Sequence, residues 1–175
     1  MRDIPILFSA PMVCALLDGR KTMTRRLAWQ LPGKAERRWP SAWHNLVLGD
    51  RLWVRESCIN WTAGDVWKRR WLREADQSEC QTISDREKPG RRASMHMPRM
   101  DSRLTLIVTA TKIERVQEIS NEDAEAEGVK CGEHFKILWC DLYGYDSWDA
   151  NPEVVALTFI IHKTNIDKMP KLEAV

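Results

Sequence analysis

The chain has 175 residues, of which 43% are hydrophobic and 30% charged, and its formal net charge is +2. That mixture suits a folded domain with a substantial core and argues against disorder along the whole length. No run approaches the roughly 20 apolar residues of a membrane-spanning helix, and the opening MRDIPILFSAP lacks the cationic start and long apolar stretch of a secretion signal, so a cytoplasmic protein with no membrane attachment is expected.

FSAPMVCALLDG predicts a short helix. Ser9 is placed to cap it, Pro11 suits its first turn, Val13, Leu16 and Leu17 have helical spacing, and Gly19 stops it. In the following GRKTMTRR, Thr22, Thr24 and Arg26 alternate with Met23 and Arg25, which predicts an extended strand with two chemically different faces. Residues 31–45 read as a loop. GDRLWVRE predicts a turn and a short strand that sets Leu52 and Val54 on one face and Trp53 and Arg55 on the other. From about residue 62 to 102 periodicity fades and charge rises, which predicts a largely irregular insertion; loops of this length are more often functional or disordered than incidental.

RLTLIVTATKIERVQEI predicts a long strand with Leu104, Leu106, Val108 and Ala110 on one face. Ser120 and Asp123 resemble a capping box opening a short acidic helix, NEDAEAE, that Gly128 ends. Phe135, Leu138, Trp139 and Leu142 form a helical stripe stopped by Gly144. EVVALTFII is apolar on both faces, as a central strand would be. The segment from 163 to 175 is a polar tail expected to fray. Strands broken by short helices, without regular βαβ alternation, predict an α+β fold on a curled or barrel-like sheet, one domain over residues 1–162.

Charge is unevenly spread. Residues 1–112 carry 21 Lys/Arg and 12 Asp/Glu, whereas residues 113–175 carry 6 and 13. The basic part makes an anionic partner reasonable, although a solvated charged face fits the same pattern. Five cysteines, odd in number and never spaced C-x-x-C, signal no disulfide framework or zinc knuckle, so reduced thiols are expected. Four scattered histidines add no metal-ligand pair, and no metal or cofactor is expected.

ALLDGRKTMTRR, GDRLWVRE, NEDAEAEGV and the closing FII strand together resemble the ASCH domain family, whose fold is similar to the PUA β-barrel of RNA-binding proteins. The resemblance covers most of the chain apart from the middle insertion and the tail. It is nearest to phage and prophage members, through MHMPRMDSRLTL, ISNEDAEAEGV and SWDANP. One branch of the family comprises bacterial amidohydrolases that remove the acetyl group from N4-acetylcytidine, using a lysine and a threonine of a G-R-K-T-x-T-x-R segment and a glutamate of the acidic helix. That resemblance implies Lys21, Thr24 and Glu127 as catalytic residues. The chain departs from the branch in its greater length, in the Trp/Arg-rich insertion, and in Arg25, where those enzymes tend to be apolar.

Amide hydrolysis needs a nucleophile, a base and a group that stabilises the oxyanion. Thr24 would supply the hydroxyl, Lys21 the base once its pKa is depressed, and Glu127 would orient the lysine, hold the exocyclic nitrogen or activate water. Arg26, Trp53, Arg55 and Glu56 are candidates for binding a nucleoside or single-stranded RNA, by planar hydrogen bonding and stacking. His96, Arg99, Ser102 and Arg103 would close over the pocket or, equally, form a loop tied down by hydrogen bonds. Two alternatives stand beside the amidohydrolase: a non-catalytic RNA- or DNA-binding module sensitive to charge removal at Arg25, Arg69 and Arg70, and a phage accessory protein that uses the insertion to bind a host protein. Whether the chain is an enzyme stays open at this point, as does its oligomeric state.

Overall fold

The computed structural model describes residues 1–30, 39–60, 71–73 and 91–170. Five strands hydrogen-bond in the order β1-β3-β7-β8-β2: β1 is Asp3–Leu7, β2 Met23–Leu27, β3 Arg51–Arg55, β7 Thr105–Arg115 and β8 Glu153–His162. With β1 and β2 at its edges, the sheet is not closed into a barrel. β8 is a central strand, as its two apolar faces predict. The fold is therefore mixed α+β on an open sheet.

The expectation of an irregular insertion needs correction in part. β4 (Cys58–Asn60) pairs antiparallel with β5 (Trp71–Arg73) and with β6 (Arg91–Arg92) in a second, three-stranded sheet. Short 3-10 helices follow at Ser94–His96 and Arg99–Asp101. Arg69 and Arg70 lie outside the described residues.

The chain divides into two compact units. One comprises Met1 with residues 19–50 and 107–160; the other comprises residues 2–18, 51–106 and 161–175. In the first unit, β2 pairs antiparallel with β8, setting Thr24 opposite Leu157 and Arg25 opposite Ala156. After β7 come α2 (Asn121–Ala126), α3 (Gly132–Tyr143) and α4 (Tyr145–Asp149), the last a helix that the sequence pattern did not suggest. Asp123 donates its backbone N–H to the Ser120 hydroxyl at 3.1 Å, the cap that the spacing predicts. Gly128 then takes a φ of +88°, a conformation costly for a side chain with a Cβ, and turns the backbone away from the helix end. Val116, Ala124, Phe135, Trp139 and Val154 form the core here, with Trp148 and Tyr143 packed around it. Leu142 of the expected stripe is exposed instead, because α3 is covered along a narrower face than the spacing suggests.

In the second unit, β1 runs parallel to β3, with Ile6 opposite Val54, both fully buried. α1 (Ala10–Leu17) follows β1, with Pro11 in its first turn and Val13, Ala15 and Leu16 buried; the Ser9 side chain makes no capping bond. Cys14 is disulfide-bonded, contrary to the expectation of reduced thiols, while Cys131 and Cys140 are free. The tail is anchored rather than frayed through residue 170: Ile166 is fully buried, and Asn165 caps the 3-10 helix Ile166–Lys168 by accepting from the Asp167 N–H. Among the described residues, no helix is long and apolar enough to cross a membrane.

Candidate functional site

Lys21 leaves the turn after α1 and enters the edge of β2. Its neighbour Thr22 fixes the path twice, donating N–H to the Ala126 carbonyl at 2.8 Å and accepting from the Phe159 N–H at 3.0 Å. The first of these bonds ties the segment to the end of α2, where Glu127 is the capping residue. Lys21 and Glu127 are 106 positions apart, yet the Lys21 Nζ donates to both the Glu127 backbone carbonyl and Oε2, each at 2.7 Å. An ammonium at the C-terminal end of a helix is electrostatically favourable and satisfies a carbonyl that the helix leaves open. Both residues are buried, with 1% and 2% exposure.

Arg25 completes the cluster from the neighbouring strand positions. It donates Nε to Glu114 Oε1 at 2.8 Å and Nη2 to Asp123, and its Nη1 lies 3.7 Å from Glu127 Oε1. Its guanidinium also lies over the Phe135 ring, 5.9 Å from the centroid. Lys112 pairs with Glu114 from the solvent side at 2.7 Å. Three cations and three carboxylates thus share one largely buried network, and the charges balance. Within it Glu127 Oε1 is buried and accepts no hydrogen bond. A buried carboxylate oxygen without a donor is costly, and here the Arg25 guanidinium 3.7 Å away offsets its charge without a hydrogen bond.

Burial pushes the Lys21 ammonium below its usual pKa, the Glu127 carboxylate pulls it up, and the Arg26 and Arg25 guanidiniums push it down again; the net direction is down. Thr24 is also buried, one residue from Arg25, but no hydrogen bond joins its hydroxyl to Lys21 or Glu127. Arg26 is half-buried on the same strand and near enough to Lys21 to affect its charge.

The remaining sequence candidates belong to the second unit. Trp53 is only 7% exposed, and the Arg55 guanidinium covers its ring at 5.0 Å, so the indole is not an open stacking plate. Arg55 also donates Nε to the Met97 carbonyl at 3.0 Å. Glu56 is buried and receives Arg103 in a two-pronged pair at 2.9 and 2.8 Å. Ser102 is buried, its hydroxyl shared between the Val54 and Leu104 carbonyls. Arg99 binds Asp3 and Asp167, while His96 is exposed. These are the contacts of a loop tied to its own scaffold.

Arg25, at which the nucleic-acid-binding alternative expects sensitivity to charge removal, is enclosed by carboxylates on a strand position facing the acidic helix. The sequence reading missed Glu114 and Asp123. A signal for Asp123 existed: it precedes Glu127 by four residues, which sets both carboxylates on one helical face. No comparable signal marked Glu114. Among the described residues, no group of three or more His, Cys, Asp or Glu side chains is arranged to hold a metal ion.

No family model and no curated protein matches the chain. Among solved structures, the chain is similar to protein EF3133 from Enterococcus faecalis V583, a DUF984 protein, at 13% identity and a TM-score of 0.46, with 98% of this chain and 86% of that one covered.

Proposed function

We propose that this chain is an ASCH-type protein, its open sheet a variant of the PUA-like barrel, that acts on a nucleoside or RNA as an amidohydrolase of N4-acylated cytidine-like substrates. The observation that carries the reading is the buried Lys21–Glu127 pair with one glutamate oxygen left to accept a donor. In the reaction, the Thr24 hydroxyl bonds to the acyl carbon while its proton passes to the neutral Lys21 amine. The C–N bond then breaks as that proton moves to the departing exocyclic nitrogen, and water hydrolyses the acyl-threonine to release the acid. Glu127 Oε1 accepts the substrate's exocyclic N–H and holds it in register. The depressed basicity of Lys21 favours the amine form that the step needs.

A second reading, a binding module without catalysis, is favoured by the Thr24 hydroxyl's lack of any bond to Lys21. One experiment separates the two. The protein is incubated with N4-acetylcytidine and a panel of acylated nucleosides, acid release is followed, and backbone amide shifts are recorded in parallel. Turnover that Lys21→Met abolishes supports the hydrolase. Saturable shifts at residues 21–25 and 124–128 without turnover support the module, and neither signal sinks both.

A further inference from the structure

The second unit holds an open cleft of about 370 Å³, lined by residues 100–103 on one side and by residues 163–165 with Lys168 on the other. We infer that this cleft is a binding site for a small phosphorylated ligand, a phosphate monoester on a polar body.

The tail, which sequence alone marks as merely polar, forms one wall of the cleft. Asn165 fixes it in place, its side-chain amide donating to the carbonyls of Arg99, Met100 and Ser102 at 2.9, 3.3 and 2.7 Å. Thr105 adds a hydroxyl bond to the Thr164 carbonyl at 2.9 Å, and buried Ile166 pins the next turn. Hydrogen bonds therefore tie the backbones of the two walls together before any ligand arrives, which lowers the ordering cost of binding.

The charge on these walls is neutralised internally only in part. Arg103 is matched by Glu56. By contrast, Lys163 and Lys168 are both exposed, and among the described residues neither ammonium has an ion-pair or hydrogen-bond partner. Among the described residues, Asp101 is the one carboxylate in the lining, against Arg103, Lys163 and Lys168, so the described rim keeps a positive excess. Two free ammonium groups around a concave floor are suited to a dianion, since Lys acts as a point charge on phosphate. Among the described residues of the lining, Met100 is the only one with an apolar side chain, whereas pockets for apolar ligands are lined mostly by hydrophobic residues. The volume exceeds what inorganic phosphate alone would fill, which points to a sugar-sized polar body attached to it.

The test is a titration of the intact chain with ribose 5-phosphate, inorganic phosphate, sulfate and ribose, read by backbone amide shifts. Ribose 5-phosphate is expected to move residues 100–103 and 163–168 and to bind more tightly than sulfate or ribose. The Lys163→Gln/Lys168→Gln double variant, altered only at exposed positions, should weaken it about tenfold, whereas Lys130→Gln should not. Equal affinity for sulfate and ribose 5-phosphate, shifts centred elsewhere, or undiminished binding by a double variant that melts like wild type would overturn the assignment. None of these readouts depends on Lys21 or on hydrolysis.

Discussion

Each compact unit contains a network of Lys or Arg with carboxylates, and the Lys21–Glu127 pair of the first differs from the Arg99–Asp167 pair of the second in depth. In the first, Lys21, Arg25, Glu127 and Glu114 have side chains that are 0–3% exposed. In the second, Arg99 and Asp167 are 36% and 54% exposed. The same pairing chemistry has opposite stakes in the two places. Near water, a broken pair is resolvated; in the interior, the abandoned partner keeps a charge that nothing screens. The buried network is therefore where a single substitution reaches furthest, and where a ligand's hydrogen-bond donor would matter most.

The sharpest way to break this contrast is Lys21→Met, which strands the Glu127 carboxylate. It is expected to cost about 3–5 kcal/mol in urea unfolding, besides abolishing any acyl transfer. Arg103→Met, which removes the paired guanidinium from buried Glu56, should cost about 1–3 kcal/mol in the same assay. A result that reverses this order would remove the depth of the cation, 2% exposed for Lys21 and 27% for Arg103, as the explanation.

A pH series sharpens the contrast further. Lys21 has a folded-state pKa below its ordinary value of 10.5, so between those two pH values the unfolded chain binds more protons. The penalty for burying its charge is thus fully felt at lower pH and is relieved as pH rises through that window. The wild type should gain stability there relative to Lys21→Met. Parallel stability curves for the two proteins would show that Lys21 does not titrate in the fold.

The smallest effect belongs to Arg99→Ala, expected to cost about 0.2–1 kcal/mol and to fade with added salt. Its partner Asp3 is raised somewhat by burial but drawn below the usual 3.8 by Arg51 and Arg99. That contribution is present above pH 3.8 and is lost as pH falls through the depressed value. An Arg99→Ala effect as large as that of Lys21→Met would erase the distinction between the networks.

Much of the local structure was legible in the residue pattern. Pro11 and Gly19 bracket α1, Ser120 caps α2, and the alternation in GDRLWVRE and RLTLIVTA produces β3 and β7. These signals are local, since capping, turn chemistry and side-chain alternation act over a few residues. The insertion's short strands were not legible, because two- and three-residue ladders carry almost no period of their own.

Lys21, Thr24 and Glu127 were singled out through a family resemblance, and burial and partners came only with the structure. Trp53 looked like an exposed plate because alternation says which residues share a face, not which face is covered.

The sequence by itself determined where α1, α2, β3 and β7 lie, and that a basic turn and an acidic helix exist. Only the tertiary structure decided that Lys21 meets Glu127 across 106 positions, that Arg25 is enclosed by Glu114 and Asp123, and that the tail walls a cleft. Such encounters depend on how strands pair and helices dock over long separations, and the periodicity of a segment holds no record of its distant partner.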